Sequence, residues 1–430
     1  MNKSFDFDQY AIPEGTNTED YVVATYLFRS RSKDMLKQAA SMAVEQTTGT
    51  WIEVPGETRD LLERHRGKVL SVWEVPDYET DRERPEERVH VLQIAYPVRN
   101  IGFQIPLLLT TVFGNISMIG DIKLLDLSLP KSLVSHLPGP RFGVKGIREL
   151  LGVPERPLLN NMIKPSTGIT PEKGAELFYQ AALGGTDIIK DDEVLGDTDF
   201  SPVLRRVELY MKKAEKVRME TGRKVLYAVN VTDEPERCLS KAMAAVESGA
   251  NAIMVNYLPT GIAILSSLAR NRKIGVPILT HLDFGGAFYA SPWHGISSHL
   301  IYGKLARLAG ADMITIPTPY GKFAISREKY MKMVIALGHP IPEKERTWPI
   351  AGGAIKPGHL PQLFHDLGKD FIVGAGGAIY GHPMGPTAGA RAFCQAIDLM
   401  MTGGDFDDSM EGLPELREAL NRWGRSRTDG

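Results

Sequence analysis

Eight short apolar runs recur from residue 157 onward, and each leads into an amphipathic stretch with helical spacing. They are PLLNNMIKP (157–165), TDIIKDDE (186–193), KVLYAVNVT (224–232), NAIMVNYL (251–258), VPILTHLDF (276–284), DMITIPTP (312–319), WPIAGGAI (348–355) and FIVGAGGAI (371–379). Near-continuous apolarity is what a parallel strand needs when helices cover both its faces. Strands alternating with helices read as βα units, an α/β arrangement. A doubly wound open sheet shares that alternation. Eight units within roughly 220 residues favour the closed (β/α)₈ TIM barrel.

The first part of the chain lacks this rhythm. YVVATYLF (21–28), KVLSVWEV (68–75) and VHVLQIAYPV (89–98) read as strands of an antiparallel sheet, and KDMLKQAASMAVEQ (33–46) reads as a helix. The charged run DYETDRERPEERV (77–89) reads as a solvated loop. An N-terminal α+β domain over 1–145 is therefore expected, followed by the barrel over 146–430. The crossing should fall near LPGPRFG (137–143), whose Pro and Gly discourage regular structure.

Composition changes this picture little. The chain has 430 residues, 43% hydrophobic and 24% charged, and a net charge of −2. That balance gives no reason to expect nucleic acid or an anionic membrane as partner. No run of apolar residues is long enough to span a bilayer, and MNKSFDFDQYAIPEGTNTED lacks a signal-peptide core. Cys238 and Cys394 stand far apart, outside any metal-binding spacing. A reducing, cytoplasmic setting is the natural expectation.

Chemistry in a barrel sits at the C-terminal ends of the strands. Lys164-Pro165-Ser166 ends the first run, Lys190-Asp191-Asp192-Glu193 the second and Asn230 the third. His281 lies on the fifth, and the sixth leads into Tyr320-Gly321-Lys322. The last two carry Gly352-Gly353 and Gly374-Ala375-Gly376-Gly377. Glycines let backbone N–H groups approach a ligand and cradle a phosphate, and the loops after strands 7 and 8 often do this in barrels. Alternation along a strand puts Lys190 and Asp192 on one side, with Glu193 close enough to join them. Two carboxylates suit Mg²⁺, whereas an ammonium repels it. Two readings stand: Lys190 is carbamylated by CO₂ and joins the ligands, or the four charges form an ion-pair cluster.

These residues resemble the RuBisCO large-chain superfamily, over most of the chain. GGTDIIKDDE is similar to that family's carbamylated-lysine metal motif. EQTTGTW (45–51), LLLTTVFGN (107–115), LLNNMIKP (158–165), GHPMGP (381–386) and the glycine loops follow in the family's order. The resemblance implies a head-to-tail homodimer with active sites shared between chains, and assemblies of such dimers. It implies that Glu45, Thr50, Trp51 and Asn115 enter the partner's site. Lys190 as the carbamate, Asp192 and Glu193 would hold Mg²⁺. Thr50, Trp51, Gly376 and Gly377 would bind one phosphate, with Gly353 in the neighbouring glycine loop.

The departures redirect the activity. Carboxylases of the family have KPK where this chain has Lys164-Pro165-Ser166, and threonine in place of Met162. Their HRxxH becomes His281-Leu282-Asp283-Phe284-Gly285, their strand 6 histidine becomes Thr315, and their strand 7 serine becomes Gly352. The lost groups hold the second phosphate of ribulose bisphosphate, so a dianion there would lack charge-assisted partners. Leu282 and Met162 make that end more apolar. The chain thus resembles the non-carboxylating, form IV RuBisCO-like proteins. IPLLLTTVFG, GPRFGVKGIRELLG and ERPLL are most similar to the methionine-salvage enolase group, although that group has its catalytic lysine where Asn115 stands.

The expected chemistry is enediolate formation from a monophosphorylated keto-sugar at a Mg²⁺ centre. Lys164 or the Lys190 carbamate would take the proton beside the carbonyl, with His281 and Lys322 in the site. The first reading is isomerisation or enolisation of a methylthio-sugar phosphate such as 5-methylthioribulose 1-phosphate. The second is decarboxylation, or transcarboxylation with hydrolysis, of a branched β-keto acid phosphate such as 3-oxo-isoapionate 4-phosphate. There Lys322 would hold the departing carboxylate. A non-enzymatic ligand sensor is the third. It would leave a cluster of like charges idle, which is a stability liability.

Overall fold

The structure, a computed structural model, describes residues 6–49, 52, 54–80, 84–404, 406, 410 and 412–425. It divides into two compact units.

The first unit comprises residues up to Leu137 together with 284–301. Its core is a five-stranded sheet of β1 (Tyr21–Ser30), β2 (Lys68–Val75), β3 (Arg88–Pro97), β4 (Ile122–Ser128) and β10 (Gly295–Ile296), in the order β10-β4-β1-β3-β2. β1 runs antiparallel to β3, pairing Tyr21 with Pro97 and Tyr26 with Leu92, and from Tyr21 to Phe28 its residues alternate between half-buried and buried. That period of two is the mark of a sheet with one face packed. The packing element is the helix Met35–Glu45, which seats Met35, Ala39, Ala40, Met42 and Ala43. Asp34 caps it by accepting from Lys37 N at 2.9 Å. At the sheet's centre the buried Tyr26 hydroxyl lies 3.0 Å from that of Tyr96 and donates to Val112 O.

The second unit is Pro138–Asp283 with Tyr302–Gly430. It closes a barrel of β5 (Leu158–Met162), β6 (Ile188–Lys190), β7 (Leu226–Asn230), β8 (Ala252–Val255), β9 (Ile278–Thr280), β11 (Met313–Pro317), β12 (Trp348–Gly352) and β13 (Ile372–Ala375). All eight neighbouring pairs are parallel, so each apolar run is one barrel strand. Leu158, Ile188, Ala228, Met254, Leu279, Met313, Ile350 and Ile372 belong to one buried core. Among the described residues no helix is long and apolar enough to cross a membrane.

The two units depart from the 1–145 and 146–430 division in two places. Residues 138–145 pack with the barrel, because the buried Asp312 carboxylate accepts from Phe142 N at 2.7 Å and Gly143 N at 3.0 Å, and also from Ile278 N at 2.9 Å. Residues 284–301, which lie between two barrel strands in sequence, place β10 on the first unit's sheet, Gly295 beside Lys123. β4 and β10 are additions to the three strands expected there.

Candidate active site

Asp191, in the middle of the charged stretch, turns away from the barrel mouth. Its Oδ2 accepts from Arg206 at 3.1 and 3.2 Å and from Asn230 N at 2.9 Å, and its Oδ1 accepts from Tyr227 at 2.8 Å. Asp191 and Arg206 are both fully enclosed, and their opposite charges satisfy one another. The alternation of the strand then sends Lys190 and Asp192 the other way. The Asn230 side chain donates to Glu193 O at 3.2 Å and Leu195 O at 3.1 Å, and Asn256 donates to Glu193 O at 2.9 Å. Two amides thus fix the acidic loop from beneath. Asn230 works as a clamp on that loop.

Lys190 is 0% exposed, and its Nζ donates to Glu193 Oε2 at 3.0 Å and to Asp191 O at 2.9 Å. Lys164 Nζ donates to Asp192 Oδ2 at 2.5 Å and to Ser166 Oγ at 2.7 Å. His281 stands between two carboxylates, Nδ1 at 2.9 Å from Asp283 Oδ2 and Nε2 at 3.4 Å from Glu193 Oε2. Burial pushes the Glu193 carboxyl up, but the charges of Lys190 and His281 outweigh it and hold it at about 2. Glu193, His281 and Asp283 each offer an atom within 4.8 Å of the others, a grouping able to hold a metal ion.

Lys164, Asp192, Glu193, His281, Lys322 and the Gly352-Gly353 and Gly376-Gly377 pairs all line one cavity of about 190 Å³. Met162, Leu282, Thr315, Phe323 and Ala354 complete its wall. Lys190 lies behind this lining, reaching it through Glu193. Close approaches leave little room for a side chain at three of these glycines, Gly352, Gly353 and Gly376. A Cβ on Gly376 would come to 3.3 Å from Lys164 Cε, and one on Gly352 to 2.7 Å from the Thr315 methyl. Gly321 would strike Gly353 O, so the Lys322 loop lies directly on the β12 loop, where Lys322 N donates to Gly353 O at 2.9 Å. Ala354 holds φ +59°, a left-handed conformation costly for a side chain and concentrated at functional sites.

Glu45 and Asn115 belong to the first unit, where Asn115 Nδ2 donates to Glu45 Oε1 at 3.0 Å. Gln46 fixes that pair, donating to Thr110 O and Thr111 O and accepting from Ile116 N. Thr50 and Trp51 lie outside the described residues. Sequence reasoning missed Asp283 and Ser166 as site groups. Their signal was proximity in the chain: Asp283 and Ser166 each stand two residues beyond a polar residue at the end of a barrel strand, His281 and Lys164.

Two family models match the chain: the ribulose bisphosphate carboxylase large-chain catalytic domain over residues 143–423 and its N-terminal domain over residues 9–133. A ribulose bisphosphate carboxylase-like protein of Archaeoglobus fulgidus is 48% identical over 398 residues, 91% of this chain and 90% of that protein. A 2,3-diketo-5-methylthiopentyl-1-phosphate enolase of Geobacillus thermodenitrificans is 37% identical over 405 residues, 94% of this chain and 98% of that enzyme. Among solved structures, a rubisco-like protein (MtnW) of Alicyclobacillus acidocaldarius superposes with a TM-score of 0.88 at 38% identity, covering 94% of this chain and 100% of that one. The dimeric archaeal Rubisco of Hyperthermus butylicus superposes with a TM-score of 0.87 at 27% identity, covering 98% and 100%. With both family models matched and relatives this similar over nearly its whole length, the chain belongs to the ribulose bisphosphate carboxylase large-chain family.

Proposed function

We propose that this chain is a Mg²⁺-dependent, non-carboxylating enzyme. It would move a proton beside the carbonyl of a monophosphorylated keto-sugar with a methylthio tail, of the 5-methylthioribulose 1-phosphate type. The observation that carries this reading is the single cavity in which Lys164, Asp192, Glu193 and His281 face two glycine pairs and an apolar wall. The enolase names of relatives at 37% identity support the methylthio-sugar class.

The donor set fits the cation. A buried Lys190 ammonium beside Glu193 is one cation among acids; its carbamate would make Lys190, Asp192 and Glu193 three hard oxygen donors, the kind Mg²⁺ takes. Bound there, Mg²⁺ would supply Lewis-acid polarisation of the substrate carbonyl. Lys164 is the group placed to carry the proton, since Asp192 and Ser166 hold its Nζ at the cavity wall. The backbone N–H groups around Gly376 and Gly377 would take the phosphate. Met162 and Leu282 would take the tail.

Asn115 stands where the enolase group has its lysine, so a base in the barrel is favoured, and isomerisation with it. Glu45, Thr50, Trp51 and Asn115 would serve the site of a second copy in a homodimer. The wall also supports the non-carboxylating reading. A serine restored at 352 would drive its Cβ into the Thr315 methyl, so the second phosphate site cannot return by one change.

Paired substrate assays test the proposal. With Mg²⁺ and bicarbonate, 5-methylthioribulose 1-phosphate should be consumed, and ribulose bisphosphate with ¹⁴CO₂ should yield no fixed label. Robust fixation would overturn the account of the cavity.

A further inference from the structure

Residues 318–326 join β11 to the helix Arg327–Gly338 and carry Lys322 to the cavity wall. The two ends of this loop reach one carboxylate. Asp366, on the helix Leu360–Leu367, has a side chain fully enclosed by the protein. Its Oδ2 accepts from the Tyr320 hydroxyl. Its Oδ1 accepts from Arg327 Nη2 at 2.6 Å, Arg327 Nε at 3.2 Å and Gln362 Nε2 at 3.3 Å. Hydrogen bonds to an ionised acceptor are the strong kind. The Tyr320 ring also stands edge-on to the buried Tyr330, centroids 6.3 Å apart. Further along, the loop lies on the β12 loop: Thr318 Oγ1 donates to Gly352 O at 3.3 Å, and a Cβ on Gly353 would come to 2.6 Å from the Phe323 ring. Lys322 Nζ lies 5.2 Å from the centroid of that ring. The course of the backbone and Phe323 therefore place the ammonium.

We infer that Asp366 is a positioning residue for Lys322. By gathering Tyr320 and Arg327 it fixes the neck of the β11 loop, and so the place from which the lysine reaches substrate. The inference rests on the reading above that Lys322 serves this cavity, and adds the group that places it.

Two variants test it in the full-length protein. Asp366→Asn keeps the outline of the side chain and removes its charge. Tyr320→Phe removes one donor, keeps the ring against Tyr330, and decides the matter if Asp366→Asn does not fold. Without substrate, amide hydrogen exchange read by mass spectrometry should rise about tenfold over residues 320–327 in either variant, with β7 and β8 unchanged. With Mg²⁺, bicarbonate and 5-methylthioribulose 1-phosphate, kcat should fall about tenfold in Tyr320→Phe. Adding Tyr320→Phe to Lys322→Met should cost no more than Lys322→Met alone, because both changes act through one lysine. Exchange unchanged in the variants overturns the inference. An additive loss in the double variant also overturns it, since Tyr320 would then act apart from Lys322. If the wild-type protein leaves that substrate intact, the proposed function fails, and the exchange comparison still decides whether Asp366 holds the loop.

Discussion

Asp191, Asp192 and Glu193 are near-equivalents in chemistry set to three tasks by the direction each side chain takes. Asp191 neutralises the enclosed Arg206, Asp192 holds Lys164, and Glu193 meets Lys190 and His281. The alternation of a strand made the split between Asp191 and its neighbours legible in sequence. The Asp283 partner of His281 was not, since a lone His-x-Asp has many bland explanations. Lys164→Met should slow proton exchange with solvent by at least about 10²-fold, the usual cost of a lost general base. Deuterium incorporation measured by NMR checks this, and exchange at the wild-type rate would assign the base to another group. His359 provides a pH signature. Its Nδ1 accepts from Lys356 N at 3.2 Å, and burial, helped by the Lys356 charge, pushes the imidazole down to about 4. The unfolded chain binds that proton near pH 6.5, so stability should fall as pH drops from there toward 4. Unfolding free energies from denaturant titrations across this range should fall less in His359→Gln, by on the order of 1–2 kcal/mol. Parallel curves for the two proteins would contradict this.

At the scale of elements, the barrel strands were readable because burial on both faces imposes continuous apolar runs, as in Leu226–Asn230, where every residue is buried. β10 was not readable: two residues, Gly295-Ile296, carry no period, and they join a sheet formed about 170 positions earlier in the chain. The helix Val203–Thr221 shows how an element serves the site at a distance. Its Arg206 reaches Asp191, and through the Asn230 backbone that pair fixes the end of β7 beside the acidic loop. Arg206→Met should cost about 3–5 kcal/mol, because it strands a buried carboxylate. Pairing it with Asp191→Asn should recover much of that loss in the same unfolding measurement. Additive losses would show that the two charges do not depend on one another.

At the scale of the molecule, the family, the two-part organisation and the grouping of barrel-mouth residues could all be read from the sequence. The order of motifs along the chain carries that information. The substrate could not be read this way, because it is set by what was lost from the wall, and absent groups leave only an apolar surface such as Met162 and Leu282. The catalytic candidates also divide between units, Glu45 and Asn115 in one and the cavity in the other. The central claim is that the barrel mouth is a Mg²⁺ and carbamate site for proton transfer on a methylthio-sugar phosphate. The most direct measurement is a ¹H NMR time course in D₂O with Mg²⁺, bicarbonate and 5-methylthioribulose 1-phosphate, run beside Lys190→Ala. The account predicts loss of the proton signal next to the carbonyl with the wild-type protein and none with the variant. An unchanged wild-type spectrum from carbamylated, metal-loaded protein would contradict it and point to decarboxylation of a β-keto acid phosphate.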